Sequence, residues 1–134
     1  MKAIETNLAT FINKEQQFII PIYQRTYSWN ISQCKQLWKD IANVAVDDST
    51  PAHFIGSIVY VSAGMYNIAG IPQSLVIDGQ QRLTTLSLLF LAIKKSLEES
   101  SEECSITPEQ INEHFLVNKY ATTDDKRIKL QLTR

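Results

Sequence analysis

The stretch "VIDGQQRLTTLSLLFLAI", residues 76–93, passes from an apolar strand-like run to a long apolar helix-like run through Asp78, Gly79, Gln80, Gln81 and Arg82. Those residue types in that order suit anion chemistry. A glycine lets the backbone turn sharply and approach a ligand closely. The first turn of the helix that follows presents unpaired N–H groups and a partial positive charge, which together favour a bound anion. Arg82 adds a planar fork of donors matched to phosphate oxygens. Gln80 and Gln81 can orient a phosphate, a ribose or a water, and Asp78 can hold the turn or a hydrated magnesium ion. A β-branched side chain at Gly79 would oppose positive φ and stand where a phosphate must approach. A purely structural alternative has Asp78 capping the helix and Arg82 solvated. The junction is not a P-loop, because the lysine and Ser/Thr of that motif are missing.

A second constellation is "IPIYQRTYSW", residues 20–29, in which Tyr23, Tyr27 and Trp29 surround Gln24 and Arg25 after Pro21. Aromatics with an interleaved arginine offer stacking faces together with phosphate or base contacts. Its structural alternative is an aromatic loop packed on the core with Arg25 in an internal salt bridge. Both motifs directly follow expected strands. In an α/β sheet the ligand crevice lies outside the carboxyl ends of the strands, so parallel neighbours would deliver the two motifs to one edge. His53 lacks a ligand or nucleophile partner in sequence and reads as structural or as a contact residue. His114 reads as a surface or packing histidine, and Trp38 as a core anchor.

The elements that must position these motifs are legible as periodicities. Leu8, Phe11 and Ile12 lie at helical spacing within residues 7–13, and "FII" forms a short strand that Pro21 ends. Ile31, Cys34, Leu37, Trp38, Ile41 and Val44 predict a helix capped by Ser32 and ended by "DDSTP". "HFIGSIVYV" and "LVID" read as a hairpin joined through "GMYNIAGIPQS". Residues 83–97 predict the strongest helix, apolar on more than one face and therefore central. Thr107, Pro108 and Glu109 predict the start of a helix reaching about Tyr120, and "RIKLQL" alternates like a strand. The chain stops in or just after that strand, which reads as truncation at the C-terminus.

A chain of 134 residues with 44% hydrophobic and 20% charged residues is one globular domain or a piece of one. A net charge of −1 argues against a uniformly basic nucleic-acid-coating surface and requires any anion site to be local. Cys34 and Cys104 lie far apart without metal-ligand spacing, so a reduced, soluble, cytoplasmic protein is expected. No apolar run is long enough to span a bilayer and no signal-peptide pattern opens the chain, so no membrane partner is expected.

"IPIYQRTYSW", "LWKDI", "HFIGSIV" and "IDGQQRLTTLSLL", in this order and spacing, resemble the N-terminal domain of GmrSD-like modification-dependent restriction proteins. The resemblance covers nearly all of residues 1–134. It implies an α/β (α+β) fold of the ParB/sulfiredoxin-like type, a small mixed sheet with flanking helices. It also implies binding and hydrolysis of a nucleoside triphosphate with Mg2+, coupled to restriction of modified foreign DNA. Carried over by motif, Asp78, Gly79, Gln80, Gln81 and Arg82 become the nucleotide site, with Gln81 and Asp78 as candidates for aligning water. Pro21, Tyr23, Gln24, Arg25 and Tyr27 become contacts to the nucleotide or the modified DNA. Sulfiredoxin chemistry is not expected, since the turn lacks a cysteine. No His-Asn-His nuclease motif is present, so cleavage would come from a nuclease domain elsewhere in the full-length chain or in a partner. The rival classes are a non-enzymatic nucleotide or modified-DNA sensing module and a ParB-like nuclease.

Overall fold

A computed structural model describes residues 3–21, 27–46, 55–62, 71–122, 124 and 127–132. The chain runs α1 (Leu8–Ile12), β1 (Gln17–Ile20), α2 (Ile31–Val46), β2 (Val59–Ser62), β3 (Gln73–Asp78), α3 (Gln80–Glu99) and α4 (Pro108–Ile111), then a π-helical turn (Asn112–Leu116) and β4 (Leu130–Leu132). The four strands form one mixed sheet in the order β2-β3-β1-β4. β1 is parallel to both of its neighbours, β3 and β4, whereas β2 is antiparallel to β3. This is the small mixed α/β sheet with flanking helices that the sequence predicts.

The central position of β1 explains its composition. Gln17, Phe18 and Ile20 are all buried, because a strand paired on both edges and covered on its faces has little solvent contact. Phe18, Ile20, Val76 and Leu83 make the core, with Phe11, Ile58 and Leu130 packed against it. Phe18 also meets Phe11 at 5.2 Å and the edge of Tyr60 at 5.4 Å between ring centroids. The buried Gln17 is satisfied: its side-chain amide donates to the Ile128 carbonyl at 3.0 Å and its oxygen accepts from Gln73 at 2.8 Å. Gln17 and Gln73 are register partners, so this amide contact pins the pairing of β1 with β3.

Several boundaries differ from the sequence expectation. α2 starts one residue earlier, and its cap is Asn30 rather than Ser32. The Gln33 N–H donates to Asn30 Oδ1 at 3.1 Å, while the Asn30 N–H donates to Gln33 Oε1 at 2.9 Å. A reciprocal pair outcompetes a single hydroxyl because it satisfies two donors at once. Trp38 is not a core anchor: it is 54% exposed, and Leu37 is the buried residue of α2. α3 is longer than residues 83–97. Its buried residues all fall between Gln80 and Leu86, and Leu88 and Leu91 are exposed, so only its first half is central. The helix after Thr107 has the expected N-cap, with Gln110 completing the capping box, but it ends at Leu116 rather than near Tyr120. In that last turn Phe115 stacks on Phe90 at 4.4 Å, and Lys94 donates to Asn112 Oδ1 at 3.2 Å. His114 is exposed and contacts Asn13 at 2.9 Å. His53, Asp47 and residues 63–70 between β2 and β3 lie outside the described residues. Among the described residues no helix is long and apolar enough to cross a membrane.

At the β4 edge a buried lysine ties distant segments together. Lys129 is 4% exposed; its ammonium donates to the Lys14 carbonyl at 2.5 Å and to Asn118 Oδ1 at 3.1 Å. Asn118 in turn accepts from the Gln16 N–H and donates to the Gln16 carbonyl. Burial lowers the Lys129 pKa, and the negative charge of Glu15 opposes that shift only in part. Between the lowered value in the folded state and the usual 10.5, the unfolded chain holds a proton that the folded chain has released. Stability contributed by this group therefore rises with pH through that window. Urea unfolding of wild type and Lys129→Met over a pH series should show wild type gaining on the variant as pH approaches 10.5. A constant difference across the series would remove the claim.

The β3–α3 junction supplies a second test. Gly79 is the N-cap of α3 with φ 94 and ψ 11, a left-handed conformation. A Cβ placed there would also lie 3.0 Å from the Ser57 carbonyl and 3.1 Å from Ile58 Cγ1. The glycine is thus required by backbone conformation and by the close approach of the segment before β2. A side chain at this position would meet the Ser57–Ile58 segment, and the positive φ expected at Gly79 is present. Gly79→Ala should destabilise the fold by on the order of 1–2 kcal/mol from the left-handed conformation alone. Denaturant unfolding reads this directly, and an unchanged midpoint would contradict it.

Candidate functional site

Because β1 and β3 are parallel neighbours, Pro21 and Gly79 follow their carboxyl ends at the same edge of the sheet. The chain then leaves β3 through the left-handed Gly79 and enters a helix of 20 residues. Gly79 has no side chain with which to cap this helix. The carbonyl of Gly79 already accepts from the Leu83 N–H at 3.0 Å, so the helical ladder starts at once. The N–H groups of Gln80, Gln81 and Arg82 precede the first residue that can find an intrahelical acceptor. Asp78 does not cap α3 in the usual sense. Its exposed carboxylate accepts from the adjacent Gly79 N–H at 2.9 Å and so braces the turn.

Arg82 is half-buried, and its side chain lies across the backbone of Gly56. A Cβ on Gly56, which has φ 116, would collide with the Arg82 guanidinium. The glycine therefore provides the space that the guanidinium occupies. Among the described residues Arg82 makes no ion pair, so its charge is not consumed by a neighbouring carboxylate. Sequence reasoning passed over Gly56. A lone glycine inside the apolar run "HFIGSIVYV" was the available signal, since such glycines mark close approaches.

Gln80 and Gln81 are both buried at the helix start. Gln81 is used to hold the other motif: its Oε1 accepts from the Ser28 N–H at 2.9 Å. One turn later Thr85 donates to the Gln81 carbonyl at 2.8 Å. That bond spends the only hydroxyl hydrogen of Thr85, so Tyr27 is the donor in the 2.9 Å contact between the two hydroxyls. Tyr27 also lies 3.4 Å from the Cys34 sulfur. Removal from water raises the Tyr27 pKa, the contact with Cys34 adds to the rise, and the contact with Thr85 opposes it. The tail of "IPIYQRTYSW" is thereby fastened to α3 at two points. Pro21 is buried at the head of the same segment, and Tyr23, Gln24 and Arg25 lie outside the described residues.

Beside these ties, α2 and α3 stand apart and leave a groove of about 460 Å³. Tyr27, Trp29, Trp38, Thr85, Leu88 and Leu89 form its walls. Thr85, Leu88 and Leu89 continue the face of α3 that begins with Gln81, as helical spacing requires. Cys34 lines the groove as a free thiol, and Cys104 is free and exposed. Among the described residues no three His, Cys, Asp or Glu side chains are grouped so as to hold a metal ion.

No curated protein gives a match to the chain. The family described as GmrSD restriction endonuclease, N-terminal domain, matches residues 8–133, a span that contains α1, both motifs and β4. With "IDGQQR" on the β3–α3 turn and the end of "IPIYQRTYSW" bonded to it, the chain belongs to the GmrSD restriction endonuclease N-terminal domain family.

Proposed function

We propose that this domain is the nucleotide-binding component of a restriction system, with the phosphates of a nucleoside triphosphate seated on the first turn of α3 and against Arg82. The family supports the restriction context. The observation that carries the phosphate reading is the junction itself: a left-handed glycine, an α3 start without a side-chain cap, and an Arg82 that lies against Gly56 and makes no ion pair among the described residues. Helix amides and a guanidinium at one place give anion affinity without a lysine-bearing loop.

Hydrolysis follows from the same arrangement. Amide and guanidinium donors stabilise charge that develops on the transferred phosphoryl oxygens, and they do so without reorganising during the reaction. Asp78 is an exposed carboxylate on the same turn. Magnesium carried by a nucleotide keeps several waters and needs only one or two carboxylates from the protein, so Asp78 and the phosphates suit it. The ion would neutralise charge on the triphosphate. Gln81 binds the Ser28 N–H and positions the loop, and Asp78 is the stronger of the two candidates for ordering a water. Tyr23, Gln24 and Arg25, which come after β1 in the sequence, are proposed to reach the nucleotide or modified DNA.

A second reading, a sensing module that binds without turnover, shares the pocket and differs only in phosphate release. Steady-state release of phosphate from the pure protein favours hydrolysis, and stoichiometric binding without release favours the sensor. Isothermal titration tests the site common to both. Arg82→Ala should weaken triphosphate binding roughly tenfold or more, as expected for lost charge-assisted hydrogen bonds. Lys126→Ala serves as the control and should change little. Equal affinities for wild type and Arg82→Ala would remove the reading.

Gly56 gives an independent check, because its effect should act through Arg82. Gly56→Ala should displace the guanidinium and weaken triphosphate binding in wild type, and do so far less in the Arg82→Ala background. Additive losses in the double variant would contradict the packing argument.

A further inference from the structure

The groove between α2 and α3 is not used by the phosphate site, and its composition is unusual for a cleft between two surface helices. The chain has 2 tryptophans, and both of them, Trp29 and Trp38, line it. Trp38 is 54% exposed, so its indole face is available rather than packed away. Tyr27 adds a third ring, Leu88 and Leu89 form an aliphatic floor, and Lys35 brings a positive charge to the lining. The volume of about 460 Å³ lies within the range of small-molecule sites, roughly 300–1,000 Å³.

We propose that this groove takes the purine or pyrimidine ring of a nucleotide, stacked against Trp29 and Trp38. The proposal rests on the phosphate site described above, because the two are continuous along one face of α3. Gln81, Thr85, Leu88 and Leu89 follow each other at helical spacing, and from Gln81 to Leu89 the helix rises about 12 Å. A ribose and its phosphates bridge the helix start and the groove over that interval. Stacking, rather than edge reading, is the mode the walls allow. The Tyr27 hydroxyl donates to Thr85 and the Thr85 hydroxyl to Gln81, which leaves few free donors on the inner wall. Asn30, which lines the groove, spends its Oδ1 and its backbone N–H on Gln33 at the start of α2. A site that reads π-faces and not base edges accepts every base. Purine and pyrimidine triphosphates should therefore differ in affinity by only a few fold.

Tryptophan fluorescence of the full chain, excited at the red edge where tyrosine does not absorb, reports occupancy, since both tryptophans line the groove. Adenosine, ATP and inorganic triphosphate are titrated separately, with emission and calorimetry followed in parallel. Adenosine and ATP should change the emission saturably, ATP binding the more tightly, and inorganic triphosphate should bind without altering it. Trp38→Ala should weaken adenosine and ATP by about tenfold, the value expected for one lost stacking face, and leave inorganic triphosphate unaffected. Leu88→Glu, also at an exposed position, should give the same pattern by placing a carboxylate in the groove.

The two readings fail separately. If Arg82→Ala loses ATP while Trp38→Ala and Leu88→Glu leave ATP and adenosine unchanged, the base site is overturned and the phosphate site stands. If both groove variants weaken ATP and adenosine but Arg82→Ala changes neither, the base site stands and the phosphate site is lost. An emission change seen only with single-stranded DNA and with no free nucleotide overturns the proposal. So does one that follows dimer formation alone in sedimentation.

Discussion

The parallel pairing of β1 with β3 is the constraint on which the rest of this structure depends. Parallel neighbours place their carboxyl ends at one edge, and both segments with chemical potential begin there, after Ile20 and after Asp78. An antiparallel pairing would have put them at opposite ends of the sheet. The pairing is fixed by a buried amide contact, Gln73 to Gln17, and by Phe18 and Val76 in the core. A one-residue slip would turn Phe18 and Ile20 out of the core and break the amide contact, so register is strongly specified.

The second layer of organisation lies in how buried polar side chains are spent. Gln17 and Asn118 satisfy backbone and side-chain groups at the β4 side of the sheet, and Gln81 and Thr85 do so at the start of α3. Among the described residues no buried side-chain nitrogen or oxygen lacks a partner. These bonds join segments far apart in sequence: Gln16 to Asn118, Lys14 to Lys129, Ser28 to Gln81. Against that background Arg82 stands out. It is half-buried, charged, and unpaired among the described residues, with a glycine backbone beneath it instead of a carboxylate. That contrast is what motivates the phosphate site proposed for it.

The sequence made the elements and the junction legible because periodicity and glycine chemistry are local signals. The strand at "FII", the Thr107 cap and the turn at Gly79 are each written in a few adjacent residues. What it hid is cooperative. Asn30 displaced Ser32 as a cap only because Gln33 could reciprocate, which a search for a lone N-cap residue overlooks. Trp38 looked like core because it shares a helical stripe with Leu37, but the stripe faces a groove and only Leu37 reaches the interior. The closeness of Gly56 to Arg82 depends on how the segment before β2 folds back over the β3–α3 turn, and no local pattern encodes that. The same holds for Gln81, whose polarity suggested a ligand but whose oxygen holds the Ser28 N–H.

A net charge of −1 shapes how an anion can be held here. With no excess positive charge over the whole chain, long-range attraction contributes little, and exposed charges beyond about 8 Å are screened at physiological ionic strength. Recognition must then act at contact distance. Helix amides meet that condition because their partial charges fade within the first turn, and Arg82 meets it because Gly56 fixes where its guanidinium lies. An apolar aromatic groove one to two turns along the same helix meets it too, since stacking and burial carry no salt dependence of their own. The ligand proposed above, with a charged and an aromatic end, would be held by short-range contacts of both kinds along one helix face, and neither contact relies on the net charge of the chain.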